Sequence, residues 1–134
     1  MMSNQTPTIH LWTPAEANLV LKQGVTKTVL LCRWLPGGVT PYVWQPGDSA
    51  KLQIRDAPID QGGVVLAEFA TTGSAPKLFF DAGDNFLKWR LEKATSAAWA
   101  WTNGYYDLDV KFAATSEEIT LLAGTITLLQ QVAD

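Results

Sequence analysis

The chain has 134 residues, with ten Lys and Arg against thirteen Asp and Glu, one His, one Cys and a net charge of -3. That length suits one domain, which buries about two-thirds of the surface its unfolded form exposes. The scattered charges exclude a basic stripe for nucleic acid, a polybasic patch for anionic lipid and an acidic tail, and the lone Cys32 excludes an internal disulfide.

The polar, aperiodic start from Met1 to Thr8, with Pro7 in it, predicts a flexible N-terminal arm over 1–8 ahead of a single domain over 9–134. This start lacks the regions of a signal peptide, and no segment approaches the roughly 18 apolar residues of a membrane span. A soluble protein assembled in a reducing cytoplasm is expected. Predicted strands follow near Ile9 to Trp12, Asn18 to Lys22, Thr26 to Leu35, Ala50 to Arg55, Val64 to Ala70, Lys77 to Asp81 and Asn85 to Leu91. Turn chemistry separates them, at Pro36-Gly37-Gly38, Pro46-Gly47-Asp48, Gln61-Gly62-Gly63, Thr72-Gly73-Ser74 and Ala82-Gly83-Asp84. No long amphipathic helix interrupts the series. The expected fold class is all-β, a single antiparallel β-sandwich with short connections.

The last strands form the clearest signal, a β-hairpin that opens on the turn residues Asn103-Gly104. Tyr106, Leu108, Val110 and Phe112 alternate with Tyr105, Asp107, Asp109 and Lys111, and the first set is expected to face the core. On the return strand from about Ile119 to Leu129, the same rule sets Leu122, Gly124, Ile126 and Leu128 against Leu121, Ala123, Thr125 and Thr127. Leu52 and Ile54, and likewise Leu87, Trp89 and Leu91, alternate with polar or exposed neighbours. The strand Thr26 to Leu35 differs, with Leu30, Cys32 and Trp34 on one face and Val29, Leu31 and Leu35 on the other. A strand apolar on both faces must be covered twice, by its own core and by a loop, the arm or another subunit.

The chain carries six Trp, three Tyr and five Phe. Trp34, Trp44 and Trp89 lie in or beside apolar strands and are expected in the core. Trp99 and Trp101, spaced by Ala100, project to one side if the segment is extended, which suits core packing, a subunit interface or a platform for a ligand ring. The candidate interface is therefore Trp99, Trp101, Val29, Leu31 and Leu35. No catalytic constellation, cofactor motif or metal-ligand spacing is legible. Asp107 and Asp109 read as the solvated face of a strand, His10 as a surface residue and Cys32 as a small buried hydrophobe. Gly37-Gly38 and Gly62-Gly63 read as hairpin glycines, since neither pair opens a helix as a phosphate cradle would.

The order of features carries a resemblance over most of the chain from Leu19. An apolar strand ends at Arg33-Trp34, and a polar turn leads into an Arg-bearing strand, Gln45-Pro46-Gly47-Asp48-Ser49-Ala50-Lys51-Leu52-Gln53-Ile54-Arg55. Tyr106-Asp107-Leu108 is then followed by the return strand Gly124-Thr125-Ile126-Thr127. This order resembles the small β-sandwich domains of minor tail and baseplate proteins of tailed bacteriophages. The resemblance implies a non-enzymatic virion component that contacts other tail proteins and copies of itself as a homo-oligomer, without cofactor, nucleic acid or membrane. Many such relatives continue into a fibre or receptor-binding head, whereas this sequence ends at Asp134 after its last strand, so an adaptor, ring or decoration role is expected. The alternative is a carbohydrate- or ligand-binding sandwich, with the indoles stacking on sugar rings and Asp107 or Asp109 binding hydroxyls.

Overall fold

The computed structural model describes residues 15–36 and 38–130. The arm over 1–8, the strand near Ile9 to Trp12 and His10 lie outside the described residues. Nine strands follow in chain order: β1 (Ala15–Glu16), β2 (Leu19–Lys22), β3 (Lys27–Cys32), β4 (Ser49–Arg55), β5 (Val65–Ala70), β6 (Leu78–Phe80), β7 (Leu87–Leu91), β8 (Asn103–Lys111) and β9 (Glu118–Leu129). Among the described residues, one short helix, α1 (Lys93–Ala97), and a 3-10 turn at Ile59–Gln61 complete the set. The larger sheet holds β9, β8, β4 and β5 side by side, with β1 and β2 on successive stretches of the far edge of β9. The smaller sheet has the order β3-β7-β6. The fold is the all-β sandwich that the turn spacing predicts. One departure is that β1 and β2 run parallel to β9, a pairing between strands so distant in sequence that alternation carries no trace of it.

The core lies between the sheets. Leu52 and Ile54 of β4, Leu108 and Val110 of β8 and Ile126 of β9 meet Leu78 of β6 and Leu87, Trp89 and Leu91 of β7, all essentially without exposure. The Trp89 ring packs on Phe69 with centroids 5.0 Å apart. At about 25 cal/mol per Å² of apolar surface removed from water, this layer is the main source of stability.

The terminal hairpin forms with its predicted inner face on β8 but with a different turn. Asn103-Gly104 is the start of β8, in register with Thr127 and Ile126. The reversal lies between Phe112 and Glu117, where the Phe112 N–H donates to the Glu117 carbonyl at 2.8 Å and Ser116 takes a φ of 60°. Gly104 has a packing reason instead: a Cβ there would stand 2.8 Å from Ile54 Cγ2 and 3.3 Å from the Arg55 carbonyl. The segment before Asn103 is helix and coil, so the pair has no strand behind it to reverse.

Strand β9 also departs from simple alternation. Leu108 pairs with Leu122 but Asp109 pairs with Thr120, which leaves Leu121 as the extra residue of a β-bulge. The bulge shifts the phase by one residue, so Ile119 and Leu121 are buried on one side of it and Leu122, Ile126 and Leu128 on the other. Gly124 faces the gap between β1 and β2, where a Cβ would come within 2.0 Å of the Ala17 carbonyl oxygen. Gly124→Ala should therefore push the β1–β2 edge away and destabilise the domain by about 1–3 kcal/mol in urea unfolding. An unchanged midpoint would mean that this edge yields freely.

Strand β3 keeps Val29 and Leu30 on opposite faces, and it is Val29, expected at an interface, that faces the core. Val29 turns into the core at 7% exposure, whereas Leu30 faces out at 55%. The pleat ends at Cys32, short of the predicted Leu35. The described residues between Arg33 and Asp48 then cross from the smaller sheet to the larger one, so Gly38 belongs to a crossover and not to a hairpin, while Gly37 lies outside the described residues.

Candidate functional site

Three regions gather the chemistry of the described residues, beginning with the indole pair. Trp99 and Trp101 do lie together, with ring centroids 4.7 Å apart and planes at 30°. The segment is not a continuous strand: α1 precedes it and is tied down by Gln23-Gly24. The Gln23 Nε2 donates to the carbonyls of Ser96 and Trp99, each at 2.9 Å, and the Gly24 N–H donates to Ser96 Oγ at 2.8 Å. Trp99 meets Phe69 edge-on at 6.3 Å, and both indoles are half-buried against the core. Of the other candidate interface residues, Val29 is in the core, Leu31 packs partly against it and Leu35 is exposed at the head of the crossover. The outward apolar residue of β3 is Leu30, on the opposite face from Val29.

The second region is an aromatic end built on that crossover. The Trp34 and Phe112 centroids are 4.6 Å apart, Tyr42 and Phe112 5.4 Å, Tyr42 and Trp44 5.2 Å, and Trp44 stacks on Phe80 at 4.5 Å. Asp48 is the hub. Its Oδ2 accepts from the Tyr42 hydroxyl at 2.9 Å and the Gln45 N–H at 2.8 Å, and its Oδ1 accepts from the Ala113 N–H at 2.9 Å. Burial, helped by the Asp48 carboxylate, pushes the Tyr42 hydroxyl up to about 12, so it remains a donor at neutral pH. Gly47, at φ 92°, permits the turn that delivers Asp48. Trp34, Tyr42, Phe112 and Ile119 line a notch of about 190 Å³, with Glu117 at its margin. No residue between Arg33 and Asp48 is charged. Within that stretch Val39 is 82% exposed and Val43 58%. An uncharged loop with bare aliphatic side chains, pinned to an aromatic base, has the composition of an interface centre.

The third region is the outer face of the larger sheet, where a line of side chains crosses four strands. Gln53 donates through Nε2 to Glu68 at 2.5 Å and accepts from Arg55 Nη2. Arg55 Nη1 donates to Asp107 Oδ1 at 2.7 Å, and Thr120 donates to Asp109 Oδ1 at 2.5 Å. Arg55 is 9% exposed, unusual for a residue on the outside of a sandwich. Burial first, then the neighbouring Asp107 and Glu118 carboxylates, hold the Asp109 carboxyl above its ordinary range. Asp107 and Asp109 are therefore more than the solvated strand face that the sequence suggested.

The sign of the Asp109 effect follows from linkage. Between the unfolded carboxyl's pKa and the raised folded one, the folded chain holds a proton that the unfolded chain has lost, so this group's contribution to stability falls as pH rises through that window. Asp109→Asn keeps the shape, can still accept from Thr120 and can donate towards Asp107. It should raise stability at neutral pH relative to pH 4 and flatten that part of the stability profile in parallel urea titrations. A variant less stable at neutral pH by more than it is at pH 4 would contradict the assignment. The half-buried pair Asp81 and Asp84 works in the opposite sense: hydrogen bonds from Lys88 hold both carboxyls low, so their contribution is lost as pH falls.

Along this face runs a trough of about 460 Å³ lined by Arg55, Tyr105, Asp107, Asn18, Asp60 and Glu16, among others. Cys32 is unremarkable chemically, since burial pushes its thiol up to about 11. Among the described residues no group of three or more His, Cys, Asp or Glu is placed to hold a metal ion, and no helix is long and apolar enough to cross a membrane. No protein-family model matches the sequence, and no curated protein matches it.

Proposed function

We propose that the protein is a non-enzymatic structural module of a tailed-bacteriophage particle, made in the bacterial host cytoplasm and built into the tail. It acts through contacts with copies of itself or with neighbouring tail proteins. One observation supports the interaction role above the others: the uncharged crossover between Arg33 and Asp48 holds Val39 and Val43 out in solvent, while its Trp34 and Tyr42 line an aromatic notch. Exposed aliphatic side chains on a rigid base are costly in water and favour burial against a partner. The virion setting rests on the ordered set of sequence features that resembles tail and baseplate sandwich domains. Leu35 belongs to this contact surface. Trp99 and Trp101 serve the domain first and offer only their outer edges to a neighbour.

Val39→Asp should weaken assembly by about 2 kcal/mol or more if Val39 sits at the contact centre. The isolated domain should keep its stability, because a side chain 82% exposed contributes little to folding. The test is competitive incorporation of wild-type and Val39→Asp protein into particles, read by mass spectrometry of purified virions. Equal incorporation would remove the crossover from the assembly surface. Trp99→Ala should behave in reverse, with its main cost in domain stability.

A further inference from the structure

We propose that the trough on the outer face of the larger sheet binds a neutral, polyhydroxylated ligand, a saccharide unit, independently of the contacts at the aromatic end. Its floor spans three adjacent strands, since Arg55 of β4 pairs with Tyr105 of β8 and Tyr105 with Thr125 of β9, all with side chains on the outer face. The volume of about 460 Å³ falls within the range of small-molecule sites, ~300–1,000 Å³.

The class of ligand follows from the lining. Arg55 is a fixed donor, held by Asp107 and Gln53, and would oppose a simple cation. Asp107, whose charge Arg55 already compensates, and the rim carboxylates Asp60 and Glu16 are acceptors and would oppose an anion. A hydroxyl group donates and accepts at once, so adjacent hydroxyls satisfy both kinds of partner without leaving a buried charge uncompensated. Asn18 is oriented for the same task. Its Oδ1 accepts from the Thr125 N–H at 3.2 Å and the Thr125 hydroxyl at 3.0 Å, which leaves its Nδ2 as a further donor. Tyr105, 41% exposed, supplies a flat apolar face for the C–H side of a sugar ring. A buried ion pair contributes little to stability against an apolar replacement, so folding alone gives a weak reason for Arg55 and Asp107 to occupy an outer face. Directional recognition gives a stronger one.

The test is a chemical-shift titration of the isotope-labelled full chain with glucose, galactose, mannose, N-acetylglucosamine and short oligomers of each, with glucuronate and glucosamine as charged arms. At least one neutral sugar should shift amides of Tyr105, Asp107, Gly124 and Thr125 selectively. Tyr105→Ala should weaken that binding about tenfold or more, equivalent to ~1.4 kcal/mol, with the rest of the spectrum unchanged. Val39→Asp should leave it unaltered, which separates this site from the assembly surface. Absence of shifts in the trough for every neutral member at tens of millimolar, undiminished binding by Tyr105→Ala, or binding of only glucuronate or only glucosamine would overturn the proposal.

Discussion

Replacing Leu108 by Ala should destabilise the domain by about 2–5 kcal/mol, and Ile126→Ala should do so by a similar amount. Both side chains are fully buried, on adjacent strands of the larger sheet and against the smaller one. Truncation removes transfer free energy and leaves a cavity whose walls are strands tied by backbone hydrogen bonds, so collapse around the void is incomplete. Val20→Ala, on a residue 60% exposed, is the matched control and should cost far less. Urea unfolding of the three variants reads the difference, provided the slope of free energy on denaturant is unchanged. A cost near zero for Leu108→Ala would mean that β8 presents its other face to the core.

The second large effect is expected at Arg55. Its side chain is 11% exposed and that of Asp107 20%, so Arg55→Met leaves the Asp107 carboxylate largely buried beside Asp109 with its counter-charge gone. Breaking one side of such a pair costs about 3–5 kcal/mol, most of it the penalty of the stranded charge. Adding Asp107→Asn to Arg55→Met should restore much of the loss, because the stranded charge is then absent, and the double-mutant cycle measures the coupling. Arg55→Met and the double variant of equal low stability would place the cost in packing of the arginine stem and not in charge.

The sandwich was legible because its signals are local. Turn residues at regular spacing and alternation in Leu52-Gln53-Ile54, Leu87 to Leu91 and Tyr106 to Phe112 each carry their own face assignment. What escaped depends on partners distant in sequence. The bulge at Leu121 is set by β8, and Gly104 is a glycine because Ile54 and Arg55 press on it, although Asn103-Gly104 reads as a turn. Alternation put Val29 and Leu30 on opposite faces of β3, and pairing with β7 fixes which of the two meets the other sheet.

The candidate sites were less legible for the same reason. Trp99 and Trp101 stood out by composition, yet their half-buried position follows from Gln23 and Gly24, more than seventy residues earlier. The uncharged run from Trp34 to Gly47 was open to inspection in the sequence, and its lack of charge was the available signal for the aromatic end. The line from Glu68 through Gln53, Arg55 and Asp107 was not open in that way, because its members come from different strands and meet only through register.

The interaction role is tested most directly by site-specific photo-crosslinking, with a benzophenone side chain at Val39 and, as control, at the exposed Lys27 of β3. In assembled particles the Val39 probe should give one dominant adduct, identified by mass spectrometry as this chain or another tail protein, and the Lys27 probe should give markedly less of it. Equal and diffuse adducts from both positions, or none from Val39, would contradict the assignment of the aromatic end as the assembly surface.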